Sequence, residues 1–398
     1  MREFSYEEVE AATGGFAEKN LVGKGSHGTV YRARLRRGGR TAVVAVKRPS
    51  HAQGEAKLAN EIAVLSAAPR HPGIIGIVGV SPSPSPQPQP GPRLPPLLVM
   101  EFMPSGSLHD MLHRSPRPPP WPHRVEIALD VARAVLALHG AAPRVIHRDV
   151  KSANVLLGRD GRARLADFGL AVSVVKAAAA VHADAPPGPA AEEGSASAGP
   201  PPAPAGTIGY LDPCYTEPGK LGPASDVFSF GVVLLELVSG RKVMDVDSCP
   251  SSIVSWAAPL IGAGRAREVL DARVAAAPLP PTDRALARVL AVAARCVSES
   301  VERRPAMDEV VAELRECAGW RHGHRGGGVV GRVCERVAAW GQRVMRRGSN
   351  RVVATKVECT EHSDSDVAPD RQGSSSSSCT TAALPPHRND GMMTGAPK

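Results

Sequence analysis

His147-Arg148-Asp149-Val150-Lys151-Ser152-Ala153-Asn154, followed thirteen residues after Asn154 by Asp167-Phe168-Gly169, constrains this chain more than any other stretch. Taken singly, the first run is an ordinary polar loop and the second an ordinary turn. Together they bring carboxylates, a carboxamide and a lysine into one short span. Moving a phosphoryl group to a hydroxyl needs a carboxylate near that hydroxyl and hard oxygen ligands for a cation on the phosphates.

A glycine-rich stretch lies upstream, Gly23-Lys24-Gly25-Ser26-His27-Gly28-Thr29-Val30. By itself it is weak. With 39 glycines in 398 residues, a chance Gly-x-Gly-x-x-Gly is expected roughly 0.4 times. Its context is stronger. Thr29 to Ala33 reads as a strand, and Val43-Val44-Ala45-Val46-Lys47 is a β-branched run ending in a lysine. Glycines let a loop backbone sit close over phosphates, and Lys47 can meet them as a point charge. Such a lysine must be held by a carboxylate. Leu58, Ile62 and Leu65 predict a helix over 55–67, and Glu61 on it is the candidate partner. Alone, Lys47 would be a solvated strand end and Glu61 a helix surface charge. The bland readings fail jointly, because all these elements occur in one order and spacing.

In that order the motifs resemble those of protein kinases. From about Phe16 to Cys317 the chain is similar to a plant receptor-like kinase domain, most like the receptor-like cytoplasmic kinases that lack an ectodomain. Phe4-Ser5-Tyr6-Glu7-Glu8-Val9-Glu10-Ala11-Ala12-Thr13 resembles the segment such kinases carry just before the domain. Leu98-Val99-Met100-Glu101-Phe102-Met103-Pro104-Ser105-Gly106-Ser107-Leu108 resembles their hinge. Ser225-Asp226-Val227-Phe228-Ser229-Phe230-Gly231 resembles the start of their central helix, and Arg303-Arg304-Pro305-Ala306-Met307 the entry to their final one.

The resemblance implies an α+β, bilobal protein-kinase fold: a small β-rich N-lobe over 16–100 with one key helix, and a larger, mostly helical C-lobe over 101–317. It implies ATP with Mg2+, or Mn2+, as cofactors and proteins as substrates. Val22, Gly23, Lys24, Gly25, Ser26 and Gly28 would form the phosphate loop, with Lys47 and Glu61 behind it. Val30, Ala45 and Leu156 would sandwich the adenine, Met100 would be the gatekeeper, and backbone groups of Glu101 and Met103 would hold the ring. Asn154 and Asp167 would hold the metal. Asp149 would accept or orient the hydroxyl proton, Lys151 would neutralise the γ-phosphate, and Thr207 would line the substrate site and touch Asp149. Lys151 two residues after Asp149 resembles the serine/threonine class. Asp226 would brace the His147–Arg148 backbone. Arg148 would be an unpaired cation awaiting a phosphorylated loop residue.

One departure stands out. Where the family writes Asp-Pro-Glu-Tyr or Ala-Pro-Glu, this chain has Asp212-Pro213-Cys214-Tyr215. The missing glutamate would pair with an arginine, here Arg304, so either a weakened large lobe or another partner is expected. Glu217 is the candidate by proximity, and Cys214→Glu is expected to raise stability. This departure also feeds the rival reading, a pseudokinase scaffold that binds nucleotide and partners without turnover. Lys47, Glu61, Asp149, Asn154 and Asp167 speak against it.

Composition bounds the rest. A hydrophobic content of 42% supplies a core, and aromatics at 4% leave it to Leu, Val and Ala. The longest apolar run, 228–238, is broken by Ser229 and Glu236 and is too short to span a bilayer. No secretory h-region is visible, and Arg2 excludes myristoylation as written. Seven cysteines without a C-x-x-C pair suit a reducing, cytoplasmic setting. Trp121 to His139 reads as a long buried helix with Pro122 in its first turn.

Residues 1–15 read as a juxtadomain segment. Two insertions interrupt the domain: 81–96, alternating Pro with Ser or Gln, and 172–205, an Ala/Pro/Gly-rich part of the activation segment carrying Ser195 and Ser197 beside Glu192 and Glu193. Residues 318–398 read as a basic, mostly disordered tail. Within it Val330, Val333, Val337, Trp340 and Val344 share one helical face, with Arg332, Arg336, Arg343, Arg346 and Arg347 around it. Over 329–347 this fits an anionic membrane surface, helped by palmitoylation of Cys334, or calmodulin, or a solvated tail. The expected location is therefore cytoplasmic, with a peripheral plasma-membrane site and a membrane receptor kinase as a partner. Between residues 319 and 358 nine Arg or Lys face two Glu, most of the chain's +9 charge. A nucleic-acid partner is not expected, since these charges form one short tail with no known nucleic-acid module.

Overall fold

The computed structural model describes residues 1–37, 40–82, 94–174, 204–216, 221–277 and 280–319. The tail helix over 329–347, the centres of both insertions, Ser195, Ser197 and Glu217 lie outside the described residues.

The small lobe is a sheet of β1 (Arg2–Glu3), β2 (Leu21–Lys24), β3 (Gly28–Arg37), β4 (Arg40–Pro49), β5 (Ile77–Ser81) and β6 (Leu97–Glu101). Its six strands run in the order β1-β5-β6-β4-β3-β2, and β1 alone pairs in parallel. β3 and β4 are longer than their apolar runs. The pairing continues from Gly28 opposite Pro49 to Arg37 opposite Arg40, with Arg34 and Arg36 turned to solvent and Ala33 and Leu35 inward. β5 starts later than its apolar run from Ile74. Ile74 instead bridges Leu165, and the Ile75 N–H donates to the Leu165 carbonyl at 2.9 Å.

Successive side chains on a strand face opposite ways, and β6 shows the consequence. Leu98 and Met100 join the main core, whereas Leu97 and Val99 join a second cluster with Ala33, Leu35, Val44 and Val46. Phe4, Tyr6, Val9 and Phe16 close that second cluster. They come from α1 (Tyr6–Thr13) and its flanks. Ser5 caps α1 by accepting the Glu8 N–H at 3.1 Å, and Gly14, at φ 68°, ends it in the left-handed region that favours glycine. Residues before the expected domain start thus supply the outer cover of the sheet. Phe4→Ala is expected to destabilise the protein by about 3–5 kcal/mol, read as a lower midpoint in thermal or urea unfolding. Glu7→Ala on the exposed side should leave the midpoint in place.

Behind the sheet lies α2 (Ala52–Ala67), one turn longer at its start than Leu58, Ile62 and Leu65 indicate, because His51 caps it through Gly54. The large lobe is helical: α3 (Leu108–His113), α4 (Trp121–His139), α5 (Pro223–Ser239), α6 (Ile253–Gly262), α7 (Ala266–Val269), α8 (Ala272–Ala275), α9 (Asp283–Cys296) and α10 (Met307–Gly319). α4 has the expected limits, and α5 is buried from Ser225 to Ser239. α5 and α9 approach closely at Gly231, where a Cβ would lie 2.6 Å from that of Cys296. Short strands β7 (Arg144–Ile146), β8 (Val155–Leu157), β9 (Ala163–Leu165) and β10 (Val172–Val174) frame the loops between α4 and α5. Among the described residues no helix is long and apolar enough to cross a membrane.

Candidate active site

The register places the first group. Lys47 on β4 stands opposite Val30 on β3 and Leu98 on β6. Its ammonium reaches Glu61 Oε2 at 2.6 Å and Asp167 Oδ1 at 2.8 Å. The other oxygen of Glu61 accepts the Phe168 N–H at 3.2 Å, so α2 is docked inward on both residues. Burial opposes the ammonium of Lys47, but Asp167 and Glu61 outweigh it and hold its pKa above the usual lysine range. Burial raises Glu61, only partly offset by Lys47. Burial also opposes ionisation of Asp167, yet Lys47, then Lys151 and His147, hold its carboxyl well below the usual range. Asp167 keeps 45% of its side chain exposed, facing the cleft.

Asn60 was not visible as a functional residue in the sequence. Its amide donates to the carbonyls of Phe168, Gly169 and Ala171 at 3.3, 3.2 and 2.9 Å. It ties α2 to the start of the activation segment. Phe168 is fully buried, edge-on to the His147 ring at 4.7 Å.

The loop from His147 to Asn154 joins β7 to β8. Asp226 on α5 accepts the N–H of His147 at 2.8 Å and of Arg148 at 2.9 Å, the bracing expected from the sequence. Arg148 needs such support, because its φ of 68° is unfavourable for a side-chain-bearing residue. Burial opposes the Asp226 carboxylate, but His139, at 2.9 Å, and His147 hold its pKa down. His147 accepts the Asp149 N–H at Nδ1 (3.3 Å) and meets the Ala166 carbonyl through Nε2 (3.2 Å). These partners assign the neutral Nε2–H tautomer, and burial pushes the ring's pKa down accordingly.

Asp149, Lys151, Asn154 and Thr207 come together as one constellation. Thr207 Oγ1 donates to Asp149 Oδ1 at 2.7 Å. Lys151 Nζ lies 2.8 Å from Asp149 Oδ2 and donates to Thr207 Oγ1 at 2.7 Å. Asn154 Nδ2 donates to Asp149 Oδ2 and to its carbonyl, both at 2.9 Å. The Thr207 hydroxyl thus bridges this carboxylate and this ammonium. The amide of Asn154 is oriented by its nitrogen, which leaves its oxygen available to a cation. Among the described residues no group of three or more His, Cys, Asp or Glu side chains could hold a metal alone. The Asp167 carboxylate and the Asn154 carbonyl nonetheless fit a hard cation that takes its other oxygen ligands from phosphates and water.

The residues expected around the nucleotide lie on the strands and turns of the small lobe and on β8. Val22, Gly23 and Lys24 lie on β2, Gly25 and Ser26 in the turn, and Gly28 and Val30 on β3. Gly25 N–H donates to the Gly28 carbonyl at 2.9 Å, closing the turn. A Cβ on Gly28 would lie 2.6 Å from the Arg48 carbonyl, so the position admits only glycine. Ala45 pairs with Met100, and Leu156 sits on β8. Glu101 gives its N–H to Gly76 at 2.9 Å, and its carboxylate pairs with Arg164 at 2.8 Å. Met103 is buried just beyond.

Two expectations are corrected. Arg304 does not lack a partner: Asp212 takes it in a bidentate pair at 2.6 and 2.8 Å. Arg304 also donates to the carbonyls of Ser298 and Ala224 at 2.8 and 3.1 Å. The 3-10 turn Pro213–Thr216 follows directly, so Asp212 covers the guanidinium where a glutamate at 214 was expected to. Cys214 accepts a weak contact from Arg304 at 3.7 Å and directs its thiol to the Glu299 carbonyl at 3.1 Å. Arg148 is engaged as well. Its guanidinium donates to the Leu170 carbonyl at 3.3 Å and to the Tyr215 hydroxyl, with its carbon 5.5 Å from that ring's centre.

Known proteins agree with this architecture. The protein kinase domain family matches residues 16–313. A serine/threonine-protein kinase-like protein of Arabidopsis thaliana is 41% identical over 336 residues, covering 80% of this chain and 88% of its own length. A second one from the same plant is 40% identical over 321 residues, covering 79% of each chain. A proline-rich receptor-like protein kinase of Arabidopsis thaliana is 36% identical over 319 residues, covering 78% of this chain and 40% of its own. Motif order, bilobal fold and this similarity lead to one conclusion: the chain belongs to the plant serine/threonine protein kinase family.

Proposed function

We propose that this chain is a catalytically active, ATP-dependent serine/threonine protein kinase acting on protein substrates in signalling. The observation that carries the reading is simultaneous assembly. Lys47 contacts both Glu61 and Asp167 at 2.6 and 2.8 Å while Asp149, Lys151 and Thr207 form a closed triangle. A scaffold without turnover has no need of both.

In this reading Lys47, held by Glu61, meets the α- and β-phosphates, and the glycine-rich loop covers them. Asp149 accepts or orients the proton of the incoming hydroxyl, and Lys151 neutralises charge on the transferred group. Asn154 and Asp167 hold a divalent cation, which when bound supplies positive charge to the phosphate oxygens. Glu101 and Met103 bind adenine through the backbone, and Val30, Ala45, Met100 and Leu156 line its pocket. The receptor-like relatives suggest a membrane receptor kinase as an upstream partner.

The test is an in vitro assay on the full chain with magnesium-ATP and phosphosite mapping. Wild type is expected to phosphorylate serine or threonine. Lys47→Met and Asp167→Asn should each lose about 10²-fold or more. Wild-type turnover no higher than that of Asp167→Asn would overturn the active reading, and nucleotide binding without turnover would favour the scaffold.

A further inference from the structure

The tip of the glycine-rich loop is fastened to α2 by side chains outside the catalytic set. Lys57 Nζ reaches His27 Nε2 at 2.5 Å. An ammonium only donates, so Nε2 accepts and the ring proton sits on Nδ1. That N–H meets Ser26 Oγ at 2.8 Å. His51 has the opposite tautomer. Its Nδ1 accepts the Gly54 N–H at 3.4 Å, and its Nε2–H donates to the Ser26 carbonyl at 2.9 Å. The Ser50 N–H donates to the next carbonyl, that of His27, at 3.1 Å.

Gly54 shows how close the two elements come. Glycine is a poor helix former, but a Cβ at this position would lie 2.1 Å from the His27 carbonyl oxygen. Bare backbone is what lets the loop tip settle on the first turn of α2. Gly54, Lys57 and Glu61 follow one another at spacings of three and four, along one face of that helix. The row meets in turn the His27 carbonyl, the His27 ring and Lys47. The stem of Lys57 also packs on the metal-binding turn, its Cβ 3.3 Å from where a Cβ on Gly169 would stand. The face of α2 that holds Lys47 thus also holds the loop.

We propose that Lys57 and His27 are positioning residues: a latch that ties closure of the glycine-rich loop to the inward position of α2, so that the phosphate cover and the Lys47–Glu61 pair form together. The inference rests on the kinase reading for the ligand that the loop covers, and on structure alone for the latch. A loop already held in its closed place loses less freedom when phosphates arrive. The latch therefore favours a nucleotide with its phosphates and is indifferent to a bare nucleoside, which reaches no further than the adenine pocket. Coupling through one contact is reciprocal, so freeing the loop also loosens the start of α2.

The experiment compares full-length wild type with Lys57→Met, Lys57→Arg, His27→Ala, the double variant of Lys57→Met and His27→Ala, and Gly54→Ala. Calorimetric titration with the magnesium complex of a non-hydrolysable ATP analogue, and separately with adenosine, needs no turnover. Lys57→Met, His27→Ala and Gly54→Ala should each weaken the analogue about tenfold, the scale of one hydrogen bond to a charged group, and leave adenosine unchanged. Lys57→Arg should restore binding, since a guanidinium can donate to the same nitrogen. The double variant should fall no further than the worse single one. In hydrogen-exchange mass spectrometry Lys57→Met and His27→Ala should each raise exchange in both 22–30 and 51–58, with 147–154 unchanged. Should Gly54→Ala fail to fold, the side-chain variants decide. A loss in Lys57→Met with none in His27→Ala would mark a direct charge effect and overturn the latch. So would equal losses for analogue and adenosine, additive losses, or exchange rising only in each variant's own segment. A wild type that shows the coupled exchange but transfers no phosphate would refute the active-kinase reading and keep the latch.

Discussion

Asp149→Asn is expected to lower kcat by about 10² to 10⁴-fold, the range for loss of a positioned base, without unfolding the protein. The geometry explains the separation of effects. Oδ2 of Asp149 receives Lys151 and Asn154, and an asparagine oxygen placed there can still receive both. Its NH2 would then face Thr207, whose hydroxyl can turn to accept, so the fold tolerates the change. What disappears is the carboxylate charge that would take a proton from an incoming hydroxyl. Lys47, Glu61 and Asp167 form a separate cluster, so KM for ATP should not change. Steady-state kinetics with a melting control reads both. A folded Asp149→Asn with near-wild-type kcat would remove Asp149 from the chemistry.

Asp212→Ala is expected to cost about 3–5 kcal/mol, because it strands a fully buried guanidinium. Arg304 would keep the carbonyls of Ser298 and Ala224, and its place 5.1 Å from the Phe228 ring centre, but no negative charge. Cys214→Glu, by contrast, should leave the melting temperature unchanged or lower it. The arginine already has both carboxylate oxygens of Asp212, and a second carboxylate would stand beside the first. It would also displace the thiol from the Glu299 carbonyl. Denaturant unfolding of the two variants side by side decides this. A large gain for Cys214→Glu, or no loss for Asp212→Ala, would mean that Asp212 is not the working partner.

These cases show where sequence reasoning stops. The glycine-rich loop, Lys47, Glu61, Asp149, Asn154 and Asp167 were legible because each sits in a short local pattern whose chemistry is explicit. α4 was legible because a long apolar helix with proline in its first turn announces both its start and its burial. The covering role of Phe4, Tyr6 and Val9 was not, since an eight-residue helix carries no record of the sheet it packs on. The same holds for Asn60, which reads as a polar helix residue until Phe168, Gly169 and Ala171 are placed beside it.

The sequence by itself determined the family, the bilobal class and the order of the chemistry-bearing residues, because local spacing encodes them. Only the tertiary structure decided the polar pairs inside the large lobe. Arg304 meets Asp212 across 92 residues, and Ser152 meets Glu236 across 84. A buried charge looks like an error in an apolar run when read along the chain. Its partner becomes visible once the helices pack, because a desolvated charge is stable only where folding has delivered donors or a counter-charge to it.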